Sequence, residues 1–444
     1  MGRICVLFSV VLLLLLSGCD KKPNETGADS RPNILLIVAD DLGYADLGSF
    51  GSDIDTPHID TLAAQGIRFT NFHTAVMCAP TRAMLMSSNN NHVAGMARQS
   101  VRGIMDVDYP GYEASLSGRI VPFPRLLRDS GYHTYMTGKW HLGIDVENGP
   151  GAAGFERSFV NVGGAANHWD SVGYHEDGTV YREDDEPTVW PEGRYTTDFF
   201  TERLIDYIES NRGDGRPFFA FAAYTSPHWP LQVPEEELDS YAGRYDEGYD
   251  RLREVNFERL QMAGIIPDSM QLRPRNELVT PWQDLDEEQR RREARKMELY
   301  AAMVTNLDRH VGRLMEYLKQ NDLYDNTLIV FMSDNGAAAE DFYNDPSFER
   351  YYPYLREHYD NRYENMGRPG SWDSYGLGWA EAGSAPFSRV KVHVTEGGIR
   401  APMIAAGYGV QARGEIDREY LTVMDLAPTF LELAGADYPD SEGI

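Results

Sequence analysis

The sequence predicts an α/β protein: a large mixed, mostly parallel sheet with helices on both faces. Two observations carry this reading. Asn33–Ala39, Pro217–Tyr224 and Thr327–Ser333 are continuous apolar runs, the pattern of strands buried on both faces, as parallel strands are. Between the last two, Tyr300, Val304, Leu307, Val311, Leu314 and Leu318 recur at three- and four-residue steps, which gives a helix with one apolar face to lay on such a sheet. The 444 residues, 42% hydrophobic and 25% charged, are enough for one large domain or for two or three smaller ones.

The N-terminus comes before the sheet. Arg3 and the apolar stretch Ile4–Leu16 read as an export signal, shorter than the ~20 residues of a spanning helix. Leu16-Ser17-Gly18-Cys19 closes it as small residues before a cysteine do in a bacterial lipobox. Residues 1–18 are therefore expected to be removed, Cys19 to take a diacylglycerol, and residues 19–31 to tether residues 32–444 to the periplasmic face of a membrane. Cys5 leaves with the signal. Cys78 is then the one thiol not committed to lipid, so no intramolecular disulfide is expected despite export.

The first strand, Asn33–Ala39, ends in Asp40-Asp41, two carboxylates where a helix cap needs one. Thr56 as cap, Pro57 at the first position and Gly66 as stop delimit a helix. Ile67–Phe72 is extended and leads to Met77-Cys78-Ala79-Pro80-Thr81-Arg82. The apolar residues that follow predict a helix beginning near Cys78, where the dipole favours negative charge. By itself Cys78 reads equally well as a plain core thiol. Phe123–Asp129 is helical, Ser130-Gly131 turns, and Tyr132–Met136 is a strand running towards Lys139 and His141, two apart and on one side if extended.

Asn161–Pro191, rich in Gly, Asp and aromatic residues, reads as a surface excursion, and Thr197–Ser210 as an amphipathic helix. The strand Pro217–Tyr224 ends in Ser226-Pro227-His228-Trp229-Pro230. Glu235–Lys296 is a charged, helix-prone insertion before the apolar-faced helix. Thr327–Ser333 ends in Asp334-Asn335-Gly336, which also suits an ordinary turn. Phe342–Trp379 reads as a loop-rich aromatic lobe, Ala401–Ile404 as a short strand, and Thr422–Ala434 as a last helix stopped by Gly435.

Four strand ends thus carry polar groups: Asp40-Asp41, Lys139 with His141, His228, and Asp334-Asn335. Ligands of open α/β sheets bind outside the carboxyl ends of the strands, so these groups are expected to converge. Three carboxylates and an amide oxygen suit calcium or magnesium rather than zinc. Lysines, Arg82 and two histidines around them would make a pocket for a tetrahedral oxyanion. A net charge of -28 opposes phosphate-backbone contacts, so no nucleic acid is expected.

Five motifs in order, Pro32–Asp41, Cys78–Arg82, Gly131–Gly143, Ser333–Gly336 and Glu396–Arg400, resemble those of the type I, formylglycine-dependent sulfatases. Gly164–His168 and Ala223–Pro230 further resemble the bacterial arylsulfatase branch. The resemblance implies an alkaline-phosphatase-like core that hydrolyses sulfate esters, aryl sulfates or similar, to an alcohol or phenol and inorganic sulfate. It implies that a formylglycine-generating enzyme oxidises Cys78 to 3-oxoalanine, and that Asp40, Asp41, Asp334 and Asn335 hold calcium, ahead of magnesium, with an oxygen of residue 78. One hydroxyl of the hydrated aldehyde would attack sulfur to give a covalent sulfo-enzyme, and the other would expel sulfate. Arg82 and His141 would position the hydrate, Lys139 and Lys391 bind the sulfate oxygens, and His228 protonate the leaving oxygen.

The expected partners are a sulfate-ester small molecule or glycan and the modifying enzyme, with membrane contact through the lipid alone. Ser87-Ser88 replace the Thr-Gly usual after the modification motif, and the small C-terminal domain of the family is expected to be missing. The alternatives are a phosphonate or phosphodiester hydrolase with the same motif, and a non-catalytic lipoprotein that binds sulfated glycans.

Overall fold

The computed structural model describes residues 31–99 and 109–438; the expected export signal and the expected lipidation site Cys19 lie outside them. The strands are β1 (Asn33–Ala39), β2 (Ile67–Phe69), β3 (Phe72–His73), β4 (His133–Lys139), β5 (Arg157–Asn161), β6 (Tyr181–Glu183), β7 (Glu186–Thr188), β8 (Phe218–Ala223), β9 (Thr327–Ser333), β10 (Met403–Gly407), β11 (Glu415–Asp417) and β12 (Leu421–Thr422). Ten of them form one sheet in the order β11-β2-β10-β9-β1-β8-β4-β5-β6-β7, and β12 pairs with β3 apart from it. The centre, from β9 to β5, is parallel, and antiparallel strands flank it on both sides.

The continuous apolar runs are explained by alternation. Leu35 and Ile37 of β1, Ala220 and Ala222 of β8 and Ile329 and Phe331 of β9 enter one core. Their neighbours Leu36, Val38, Phe219, Phe221, Val330 and Met332 enter a second core on the other face. Successive side chains of a strand point to opposite sides, so a strand covered on both faces has no polar position left.

Among the covering helices are α1 (Pro57–Gln65), α2 (Cys78–Ser87), α3 (Phe123–Asp129), α4 (Pro150–Ala153), α5 (Thr196–Ser210), α6 (Gly248–Met262), α7 (Glu287–Gln320), α8 (Tyr352–His358), α9 (Gly376–Gly383), α10 (Glu396–Ile399) and α11 (Leu426–Ala434). Residues of α1, α5 and α7 fill the first core and those of α2, α3 and α11 the second.

Some expectations are corrected. Helix α7 starts at Glu287, well before its apolar stripe, because Asp286 and Gln289 form a capping box. It takes in the end of the charged insertion, and α6 buries Tyr249, Leu252 and Leu260 in the first core, so that insertion is packed as well as solvated. The stretch Asn161–Pro191 is only partly a surface excursion: β6 pairs with β5, and Asn167 and His168 are fully buried. Thr56 does not cap α1. Its hydroxyl accepts from the Gly48 N–H and donates to Asp60, while Asp308 of α7 accepts the His58 and Ile59 N–H groups. The last helix begins at Leu426, after a 3-10 turn, Val423–Asp425, whose capping box joins Thr422 to Asp425.

Candidate active site

Parallel pairing puts the ends of β1, β4, β8 and β9 on one edge. Ala39 is level with Ser333, and Val38 and Gly138 are both level with Ala223. Gly138 permits the close approach, because it has φ 106° and an added Cβ would lie 1.8 Å from the Ala223 carbonyl oxygen. Beyond the strands, backbone bonds continue the alignment: Asp40 N–H donates to the Ser226 carbonyl at 3.1 Å and Asp334 N–H to that of Ala39 at 3.2 Å.

Asp40, Asp41, Cys78, Arg82, Lys139, His141, His228, Asp334, Asn335 and Lys391 all meet here, and none is more than 5% exposed. Lys139 Nζ donates to both oxygens of Asp40 at 2.8 and 2.7 Å. Lys391 Nζ donates to Asp41 Oδ2 at 2.7 Å, the same oxygen that lies 3.3 Å from His228 Nε2. Arg82 Nε and Nη2 both donate to Asp334 Oδ2, at 3.0 and 2.8 Å, and its Nη1 donates to the Lys139 carbonyl at 2.7 Å. Asp334 Oδ1 accepts the Asp41 N–H at 3.2 Å, and Asn335 Nδ2 donates to Asp41 Oδ1 at 2.6 Å. Three buried carboxylates thus face three buried cations, which is what keeps such charges tolerable away from water.

Cys78 opens α2, with its Sγ 3.6 Å from Asp41 Oδ1. The helix start does not make it a thiolate. Burial pushes its thiol well above the usual range, and the carboxylates of Asp41 and Asp334 add to this against the pull of Lys139 and Lys391. Burial likewise pushes Asp40 up to about 7 even with Lys139 beside it. It would also raise Asp41, yet Lys391, His228 and Lys139 hold that carboxyl below the usual carboxylate range. Burial depresses both His228 and His141, and the surrounding cations depress His141 further.

Two backbone conformations matter. Asp41 and His141 have φ of 67° and 60°, the left-handed region uncommon for residues with a side chain and often found at functional sites. Lys139 and His141 are therefore not alternate residues of one extended strand. The chain turns at His141, and an added Cβ at Gly164 would lie 2.5 Å from its Cε1. His141 Nδ1 is buried without a partner among the described residues. His228 is braced from behind: its Nδ1 lies 2.7 Å from the Trp229 carbonyl, and the His228 carbonyl lies 3.1 Å from Nε2 of His168, whose Nδ1 lies 2.7 Å from Thr196 Oγ1.

Two residues at the site escaped the sequence reading. Glu340 lies 3.8 Å from Lys391 Nζ and has a buried oxygen without a partner among the described residues. Gln99 Nε2 lies 3.9 Å from Cys78 Sγ. Glu340 follows Asn335 by five residues, and that proximity was the only available signal.

The donors fit a hard divalent cation. Ligand atoms of Asp40, Asp41, Cys78 and His228 lie within 4.8 Å of one another. Asp334 and Asn335 bond to Asp41, and Asn335 Oδ1 is buried without a hydrogen bond to any described residue. Carboxylate and amide oxygens outnumber nitrogen and sulfur in this set, which favours calcium or magnesium over zinc.

A sulfatase family profile matches residues 32–436. An uncharacterized sulfatase of Schizosaccharomyces pombe is 40% identical over 434 residues, 94% of this chain and 77% of that protein. An arylsulfatase of Klebsiella aerogenes is 36% identical over 438 residues, 97% of this chain and 91% of that protein. Among solved structures, Ps i-CgsB in complex with k-i-k-neocarrahexaose superposes with a TM-score of 0.64 at 26% identity, covering 93% of this chain and 74% of that one.

Proposed function

The chain belongs to the sulfatase family and hydrolyses sulfate esters, and from that premise we propose that residue 78 acts as formylglycine, made from the cysteine by a formylglycine-generating enzyme. The observation that carries this is the convergence, on one buried point, of Cys78 Sγ with Asp41 at 3.6 Å and of Asp40 and Asp41 with Lys139 and Lys391. A hydrated aldehyde there supplies two hydroxyls on one carbon, one to attack sulfur and one whose deprotonation releases sulfate; serine and cysteine have no second hydroxyl. Asp40, Asp41, Asp334 and Asn335 would hold calcium, and the bound ion would supply positive charge against the sulfate oxygens.

The other side chains divide the remaining work. Lys139 and Lys391 bind the sulfate oxygens as fixed cations in a water-poor site, where charge stabilisation is strongest. Arg82 is committed to Asp334 and to the Lys139 carbonyl, so it orients this side of the pocket, and His141 positions residue 78. His228 Nδ1 lies 2.7 Å from the Trp229 carbonyl oxygen, which puts a proton on that nitrogen and turns Nε2 to the site; the doubly protonated ring would give its Nε2 proton to the leaving oxygen. The substrate class we propose is an aryl sulfate or sulfated sugar. The lipobox-like Leu16–Cys19 supports a lipid-anchored, periplasmic protein.

The test is a mass spectrum of the peptide spanning Cys78, from protein made with the modifying enzyme, alongside sulfate release from an aryl sulfate. The expected spectrum shows the mass loss of thiol-to-aldehyde conversion in proportion to activity. An unmodified thiol in fully active protein would overturn the proposal, and faster cleavage of a phosphonate ester than of a sulfate ester would favour the phosphonate reading.

A further inference from the structure

A cavity of about 510 Å³ lies between Asn161–Ala165, the segment Tyr174–Val180 and the pair Arg350-Tyr351. Its size suits a small ligand. Two contacts join it to the site. Gly164 in its wall packs on the His141 ring, and Tyr174 in its wall meets the ring of Trp229, the residue after His228, at 6.3 Å between centroids. Asn161, level with Lys139 in the paired strands, also lines it.

Its walls mix aromatic faces with hydrogen-bonding groups. Tyr174 and Tyr351 meet edge to face, 5.3 Å between centroids. Arg350 braces Tyr351, with Nη2 donating to the phenol oxygen at 2.8 Å and the guanidinium over the ring. Glu176 and Asp177 bring two exposed carboxylates to the same wall. Asn161 Nδ2 and Thr179 Oγ1, on two further lining residues, are buried without a partner among the described residues. A flat aryl group would cover the rings and leave these polar atoms unpaired, which costs binding energy, whereas a ring bearing hydroxyls can satisfy them and lay its C–H face on tyrosine.

We propose that this cavity is the leaving-group subsite, and that it takes an uncharged, hydroxyl-rich sugar ring held on Tyr174 and Tyr351 and hydrogen-bonded by Glu176 or Asp177. This rests on the sulfatase reading above. Glu176 and Asp177 outnumber the one guanidinium in this wall, Arg350, which is engaged with Tyr351; a second sulfate on the same ring is therefore disfavoured, and the preferred substrate is a monosulfated sugar.

The experiment compares kcat/KM for glucose 6-sulfate and galactose 6-sulfate with that for 4-nitrophenyl sulfate, in the modified enzyme and in the variants Tyr351→Ala and Glu176→Gln, with thermal melting to confirm folding. The ratio of sugar-ester to aryl-ester kcat/KM is expected to fall about tenfold or more in Tyr351→Ala and severalfold in Glu176→Gln. Glu176 is exposed, so its variant keeps the test sharp if Tyr351→Ala does not fold. A wild-type enzyme that cleaves only the aryl ester, or variants that change both esters in equal proportion, would overturn the subsite and leave the catalytic reading standing. Failure to release sulfate from any of the esters would overturn both.

Discussion

At the scale of single residues, the site joins Cys78 to neighbours that would be poor partners for a thiol nucleophile. A catalytic thiolate wants a lowered pKa, and this thiol is buried beside carboxylates that raise it. Replacing Cys78 by Ala is therefore expected to abolish sulfate release while leaving the thermal melt within a degree or two, since only a small buried side chain is trimmed. Residual turnover at wild-type level would remove residue 78 from the mechanism. Arg82→Ala is a poorer probe. It strips the partner from buried Asp334, and unpairing a buried charge costs about 3–5 kcal/mol in stability. Gly164→Ala tests His141 without touching a charge: the new methyl would sit 2.5 Å from the imidazole. Its kcat is expected to drop about tenfold or more with the fold retained, because small misplacements of a catalytic group are expensive; unchanged kcat would show that the ring position is not critical.

At the scale of elements, α1 and α7 are clamped by Asp308, whose carboxylate accepts the first free N–H groups of α1. Burial outweighs those bonds and pushes Asp308 up to about 6 from an ordinary 3.8. A folded-state pKa above the unfolded one means that the native protein holds the proton more tightly. The stabilisation from this group is then fully present below about pH 4 and lost as pH rises through about 6. Asp308→Asn keeps an acceptor oxygen without the charge. Urea unfolding is expected to show the variant gaining stability relative to wild type between pH 4.5 and pH 7, and a pH-independent difference would refute the clamp's titration. The clamp also shows why Thr56 does not cap α1. The motif was present in the sequence, but a carboxylate more than two hundred residues away reached the same amides. Helix α2, by contrast, was legible from Pro80 and the apolar run after it, since its start depends on local chemistry.

At the scale of the whole molecule, the carboxylates that collect at the sheet edge make metal binding and folding one problem. A divalent cation that binds only the native state stabilises by about 2.7 kcal/mol at a hundredfold excess over its Kd. Calcium is expected to raise the melting temperature by a few degrees and a chelator to reverse it, with Asp40→Ala blind to both; a melt indifferent to calcium and chelator would remove the metal from this site. The sequence by itself determined the parallel centre of the sheet, because a strand buried on both faces must be apolar at every position. It also marked most of the residues that meet at the sheet edge, because parallel strands deliver their carboxyl ends to one edge and the residues after them are contiguous in the chain. Only the tertiary structure decided what depends on distant packing: that Lys391 lies on Asp41, that the turn at His141 is left-handed and seated on Gly164, that His168 props the His228 loop, and that Glu340 faces Lys391. Those contacts join segments whose local composition carries no periodic or capping signal, so their meeting is set by how the layers pack.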